Sequence, residues 1–345
     1  MYRKWTEVLS SIRNSDNLRY SYEPTGSGDG KSQIIAGTVH FAGSDSALSA
    51  KERLAIPSAW FVPSLAGGIA VGFNLPGVNL EGLRIPREAL ADVFLGKIRQ
   101  WSELAPWNPE LADVTQNISL VVRSESSGTT SVFTSALSSF SAEWKASVGS
   151  ASLPKWPVAV SKFEGNAGVA IGIRLRPHSI GYLNVADATA FGVLCASISN
   201  AEGRFISPTL AAVQAATDAL GPKMEALVKN GSTYFYVDAV DPPGIPEAYP
   251  ISTLTYFVFD VDRLDCEVLS HVLFLIYWAW TDQNAAAIAI EQSLYPIPDG
   301  IRSACLSALA KLKCEGKSPM QAVQTAFGLV CAPGAQGPLS FLLRA

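Results

Sequence analysis

The chain has 345 residues, of which 48% are apolar and 16% charged, with 26 basic against 30 acidic side chains and a net charge of −4. That length favours two domains, and that balance describes a folded, well-buried protein rather than a disordered one. No Lys/Arg run exceeds two residues, which excludes a basic footprint for nucleic acid.

The opening "MYRKWTEVLSSIRNSDN" contains no apolar segment of the kind that marks a secretion signal. "LRYSYE" (18–23) alternates as a strand does and stops at Pro24 and a glycine cluster. "KSQIIAG" reads as a short helix closed by Gly37, and "TVHFAGSD" as a strand ending on Asp45. "WFVPSLAGGIAVGFNL" reads as two strands around a break at Gly67-Gly68. A helix opened by Pro86 and stopped near Gly96 follows. "NISLVVRS" is a strand, and "SGTTSVFTSALSSF" a helix with a hydroxyl-rich first turn. "SIGYLNVAD", "SPTLAAVQAATDAL" and "YPISTLTYFVFD" continue the alternation, and long helices run from "CEVLSHVLFLIYWAW" to "PDGIRSACLSALAKLKC". Strands alternating with helices predict an α/β architecture. The longest apolar run, "VLFLIYWAW" (272–280), is too short to span a bilayer and predicts a buried helix.

Five cysteines (Cys195, Cys266, Cys305, Cys314, Cys331) show no CxxC spacing and no neighbouring histidines, which argues against a metal site. Cys305 and Cys314 lie nine residues apart on one predicted helix, on opposite faces, so they are not expected to pair with each other. The odd count leaves at least one thiol unpaired, and spacing alone does not fix the compartment.

"GSGDGKS" (26–32) is nearly a nucleotide-binding P-loop. That motif needs a glycine five residues before its GK[ST] triplet, where this chain has Thr25. It also needs a magnesium-managing carboxylate at a later strand end, and Asp45 follows Ser32 by only 13 residues. The underlying physics survives the mismatch: glycines before a helix aim backbone N–H groups at an anion, and the helix dipole adds attraction. "RSESSGTTSVF" repeats the arrangement, with Ser127, Gly128 and Thr129 at a strand-to-helix turn and Arg123 four residues upstream of Ser127. Taken alone, each loop is most simply a capped helix start. Together they outline an anion site.

With these segments the chain resembles the substrate-binding proteins of high-affinity phosphate ABC transporters. The matching stretches are "GSGDGKSQIIAGTVHFAGSDSALS", "VFLGKIRQWSEL", "NISLVVRSESSGTTSVFTSAL", "KWPV", "SIGYLNVADA" and "YPISTLTYFVFD", in the family's order, from Tyr2 nearly to Lys313. From about 315 onward no resemblance is evident. The resemblance implies an α/β two-domain hinged clamshell of the type II periplasmic-binding-protein kind, with mixed sheets flanked by helices. Domain I would comprise 1–72 and 252–345 and domain II 73–251, with hinge strands near 67–75 and 249–260. It implies inorganic phosphate as the ligand, no cofactor, no metal and no catalysis. It also implies a membrane permease as partner and an extracytoplasmic location. By matching position, Ser27 would donate a hydroxyl and a helix-start N–H, and Asp45 would accept the proton that phosphate retains. Arg123 would make the charged contact, and Ser127, Gly128 and Thr129 would wrap the other face. Gly26, Gly28 and Glu125 would support them.

The residue chemistry agrees with those roles. Arginine's planar fork suits phosphate oxygens. A carboxylate facing an anion rejects sulfate, which has no proton to offer, by about 3 kcal/mol or more for a buried unmatched acceptor. Three departures stand out. The family opens with a strand and a "GAGATFP"-like loop that also binds phosphate, whereas "MYRKW" aligns with the helix after it, so one wall of the site is expected to be missing. The acid two residues past the arginine is Glu125 rather than aspartate, and Ser126 replaces a common glycine.

Two other classes compete. A phosphatase would need a base beside Ser27 or Ser127; only His40, His178 and His271 exist, and no GxSxG elbow is present. A degenerate phosphate-binding-like module, serving as a partner-binding or scaffold domain of a longer protein, would fit the missing loop and the unfamiliar tail. Trp101, Trp107, Trp144 and Trp156 show no sugar-platform pattern and read as core or rim.

Overall fold

The computed structural model describes residues 1–12, 18–78 and 82–330. The chain begins with α1 (Tyr2–Ile12), α2 (Ser27–Ala36), β1 (Ala42–Ser44), α3 (Ala50–Ala55) and β2 (Ala59–Asn74). It continues through β3 (Arg84–Ile85), α4 (Arg87–Leu95), β4 (Ser119–Arg123), α5 (Gly128–Phe140), α6 (Ala142–Ser147), β5 (Ser161–Phe163) and α7 (Gly165–Leu175). Next come β6 (Ser179–Asn184), α8 (Val185–Ala190), β7 (Leu194–Cys195), β8 (Ser197–Ser199), β9 (Phe205–Ile206), α9 (Leu210–Asp218) and α10 (Gly221–Lys229). The last elements are β10 (Ser252–Asp260), α11 (Cys266–Thr281), α12 (Gln283–Glu291), β11 (Tyr295–Pro296), α13 (Asp299–Leu309) and α14 (Pro319–Val330).

β2 organises the molecule. It is a single 16-residue strand, buried at every position but its last, as expected of a strand covered on both faces. Its first half pairs antiparallel with β10, from Ala59 opposite Asp260 to Gly68 opposite Ser252. Its second half pairs antiparallel with β6, from Ile69 opposite Asn184 to Asn74 opposite Ser179. The strand order is β1-β10-β2-β6-β4-β5, with β4 parallel to both β5 and β6. The expected break at Gly67-Gly68 is therefore a change of partner within one strand. Those glycines are needed for space, because a Cβ on Gly68 would lie 2.9 Å from Val213 and 3.2 Å from Val185.

The segment 18–23 differs from its expected strand. Its exposure alternates residue by residue, so the period-2 pattern is real, but it joins no ladder among the described residues. Tyr20 instead exchanges backbone hydrogen bonds with the Ser10 hydroxyl, and Tyr22 packs on Tyr2 and Phe41.

Residues 210–237, assigned by the sequence to the second domain, also sit elsewhere. α9 packs on β2 and β10, and α10 lies against α13. The Phe61 N–H donates to the Thr233 carbonyl at 3.0 Å, and the Phe235 N–H donates to the Phe61 carbonyl at 2.9 Å. Only the stretch 238–248 returns to the β6 side, through the Arg87–Asp241 ion pair and the Asn200 amide, which donates to the carbonyls of Pro246 and Ala248. Amphipathic spacing marks the buried face of a helix and says nothing of which sheet it covers.

The apolar run 272–280 lies within α11, where most of its residues are buried, and no helix of the described residues is long and apolar enough to cross a membrane. Cys266, at the start of α11, is disulfide-bonded to Cys314, with Cα atoms 5.7 Å apart. Cys305 is buried and unbridged, so it does not pair with Cys314; the reason differs from the expected one, since α13 ends at Leu309. Cys195 is likewise a free thiol, and Cys331 lies outside the described residues. The unfamiliar segment beyond 315 contributes α14, whose Met320 and Val323 are buried and whose Phe327 packs on Phe274 and Tyr277. The bridge closes a loop with a sequence separation of 48. Replacing both cysteines by serine is expected to lower stability by about 4 kcal/mol on the loop-entropy account. Urea unfolding of both forms would check this, and equal midpoints would refute it.

Candidate anion site between two halves of the chain

α2 starts at Gly26, whose φ of 95° and ψ of 158° suit glycine alone, and stops at Gly37 in the left-handed conformation. Without a side chain, Gly26 cannot cap the helix, so the first N–H groups are left to a partner outside it. α5 starts at Ser127, whose hydroxyl oxygen accepts from the Thr130 N–H at 3.3 Å. A hydroxyl that accepts one hydrogen bond still has its own proton to donate. Aromatic packing holds this turn in place: Tyr182 stacks on Phe133, and its hydroxyl hydrogen-bonds Thr130 at 2.7 Å. Trp101 and Trp144 are fully buried, Trp156 joins the same aromatic cluster, and Trp107 is exposed.

The two helix starts face each other. A Cβ on Gly128 would collide with the Ser27 hydroxyl and lie 2.9 Å from the Cβ of Asp45. A Cβ on Gly28 would lie 2.7 Å from that of Ser126. Beside this contact is a cavity of about 440 Å³ lined by Ser27, Asp45, Arg123, Ser127, Gly128 and Thr129. All six expected ligand residues thus meet at one cavity, and Gly26 lines it as well. Gly28 and Glu125 stand behind that lining. Where the first loop of the resemblance was expected, Met1 and Tyr2 at the start of α1 line the cavity.

Arg123 is the cavity's fixed cation. It is buried, and its Nε donates to Glu125 Oε1 at 2.7 Å. Its Nη1 donates to Asn166 Oδ1 at 2.9 Å and to the Thr129 hydroxyl at 3.3 Å. Glu125 also accepts from the Gly165 N–H at 3.2 Å, a reach its additional methylene provides. Burial pushes the Glu125 carboxyl up, but the hydrogen bonds and charge of Arg123 outweigh it and hold the group below the usual carboxylate range. Asp45 accepts from the Thr255 hydroxyl at 2.7 Å, and its N–H donates to the Ser27 hydroxyl at 3.2 Å. Burial raises the Asp45 carboxyl above its ordinary value, against Thr255 and Arg123.

Lys31 turns away from the cavity. Its ammonium is buried against the Ala47 carbonyl at 3.1 Å and Glu52 at 3.3 Å. A P-loop lysine must reach phosphates, so the nucleotide geometry is not formed here. No histidine lines the cavity among the described residues, and no group of three or more His, Cys, Asp or Glu side chains there could hold a metal. His40, which the sequence places within a strand, is exposed and precedes β1.

Residues 1–264 match the family model described as a PBP superfamily domain. The phosphate-binding protein PstS of Pasteurella multocida is 31% identical over 308 residues, covering 87% of this chain and 84% of that protein. The chain belongs to the PstS family of phosphate-binding proteins. The PstS protein of Haemophilus influenzae is also 31% identical, over 305 residues, covering 88% and 87% of the two chains. A solved high-affinity periplasmic phosphate-binding protein with phosphate bound superposes with a TM-score of 0.66 at 22% identity, covering 92% and 95%. That likeness supports the two-domain clamshell fold.

Beside the residues expected for a PstS family member, the cavity gathers four that sequence reasoning missed: Asn166, Asn184, Asp187 and Thr255. Asn166 and Asp187 lie in first turns of helices and Asn184 precedes α8 at its N-cap position without a side-chain cap bond, positions ordinarily explained by capping or dipole compensation. Thr255 is the one half-buried residue of a strand that is otherwise buried, and a threonine between Leu254 and Tyr256 was its one signal.

Proposed function

We propose that the chain binds inorganic phosphate in this cavity as the substrate-binding component of phosphate uptake. The observation that carries the reading is the convergence of two helix starts, Arg123 and Asp45 on a single cavity. The first-turn N–H groups of α2 and α5 and the hydroxyls of Ser27, Ser127 and Thr129 donate to the anion's oxygens. Arg123 adds a charge-assisted contact from a position that Glu125, Asn166 and Thr129 fix in advance. Asp45 accepts a hydrogen bond from a protonated oxygen, which phosphate offers and sulfate does not. The site binds and releases its ligand without chemistry, and the partner that takes up the phosphate is a membrane permease. The Cys266–Cys314 bridge supports an extracytoplasmic, oxidising setting.

The two bodies are proposed to move about the point in β2 where its partner changes, between Gly68 and Ile69. Calorimetric titration of the phosphate-free chain with phosphate and then sulfate tests the reading. The wild-type chain is expected to bind phosphate selectively, and Asp45→Asn to lose about a hundredfold of that preference, the worth of an unmatched buried acceptor. An unchanged preference would remove Asp45 from the argument, and no phosphate binding would overturn the function.

A further inference from the structure

The cavity holds a second carboxylate. Asp187, on the first turn of α8, lines the same space as Asp45, and both are half-buried. A carboxylate at a helix start is ordinarily explained by the dipole, but this one is turned into an anion pocket. The charges around it are few. Arg123 on β4 attracts it, and Asn166 on α7 lies close enough to favour its charged form. Asp45 stands on the same cavity, and Glu125 is taken up by Arg123. Arg174 on α7 reaches only the far end of α8, at the Phe191 carbonyl. Lys31 is committed to Glu52. Among the lining side chains two carboxylates therefore face one arginine, a balance that opposes a dianion. Burial also raises both carboxyls, which opposes a second negative charge in this space.

We propose that Asp187 is a specificity-determining residue that reads a second proton, so that the cavity takes phosphate as its monoanion, one P–OH donating to Asp45 and the other to Asp187. The inference rests on the phosphate reading above. It makes affinity depend on pH in one direction. Where free phosphate is a dianion, binding must take up one proton, so affinity falls about tenfold for each pH unit of rise. Whether that proton sits on the ligand or on a carboxyl does not alter the slope.

Phosphate titrations from slightly acid to mildly alkaline pH, on the whole chain, test this. The wild-type chain is expected to show the tenfold slope, and Asp187→Asn to flatten it, because an amide can donate to the oxygen that has lost its proton. A slope kept in Asp187→Asn, with affinity lowered equally at every pH, would reduce Asp187 to a positioning partner of Asn166 and overturn the proposal. Tighter binding of 2-aminoethylphosphonate than of phosphate would overturn it too, since the carboxylate would then serve an ammonium group. Should the variant not fold, binding enthalpies of the wild-type chain in buffers of different ionisation enthalpy count the protons directly. One proton taken up at mildly alkaline pH supports the proposal, and none refutes it. Failure of the wild-type chain to bind phosphate at any pH is the separate outcome in which the functional reading itself falls.

Discussion

Gly128→Ala is expected to leave the protein folded and remove most of its phosphate affinity. At the first position of α5 an alanine is a better helix former than glycine by about 1 kcal/mol, so the isolated half that carries it gains stability. The cost falls on the other half. The added methyl would run into the Ser27 hydroxyl and stand 2.9 Å from the Cβ and 3.1 Å from the N–H of Asp45. Neither neighbour is free to yield, because the Asp45 N–H is bonded to Ser27 and its carboxylate to Thr255. Overpacking of this kind costs about 1–3 kcal/mol, and here it can be relieved only by parting the two helix starts. Affinity should drop between several-fold and about a hundredfold on that scale, with a melting temperature equal to or above that of the wild-type chain. Calorimetry together with a thermal melt measures both. Undiminished affinity would mean that Ser27 and Gly128 do not grip the same ion.

Arg123→Met is the second large effect. The guanidinium supplies the cavity's one arginine charge and is held by three side chains through four of its hydrogen bonds. Truncating one partner of a buried, hydrogen-bonded charge pair costs about 2–5 kcal/mol of binding free energy, a loss of about 30- to 5,000-fold in affinity that calorimetric titration reads. Glu125 is left with the Gly165 N–H and partial exposure, so folding should suffer less than binding. Arg123→Lys discriminates between charge and shape. Lysine keeps the charge but cannot form the fork that engages Glu125, Asn166 and an anion together, so its affinity should be intermediate. Equal affinity for the lysine and wild-type forms would show that a point charge suffices.

How much of this was legible beforehand depends on the kind of signal. Gly26 and Ser127 announce helix starts because local backbone and capping chemistry require those residue types, and both starts were found. Arg123 and Asp45 could be placed at strand ends for the same local reason. Lys31 could not be placed from its triplet: the P-loop was set aside on spacing, but the direction of the side chain is decided by Glu52, 21 residues away, and no local pattern encodes that. β2 was read as two strands because glycines break a pattern in sequence, whereas here they make room for Val213 and Val185. Asp187 and Thr255 went unnoticed because their neighbours at the cavity come from distant parts of the chain. The pairing of Cys266 with Cys314 was invisible for the same reason.

The shared strand β2 has a thermodynamic meaning as well as an architectural one. One backbone belongs to both ladders, so in the proposed swing about Gly68 and Ile69 each half would keep its own ladder hydrogen bonds. Opening there would part the contacts between Ser27, Ser126, Gly128 and Asp45, while the Arg87–Asp241 pair and the Asn200 amide tie residues 238–248 to the β6 side. On the proposed hinge, the fraction of the empty protein that is already closed scales the observed dissociation constant. Affinity in such a molecule can be tuned at the pivot, far from any atom that touches the ion.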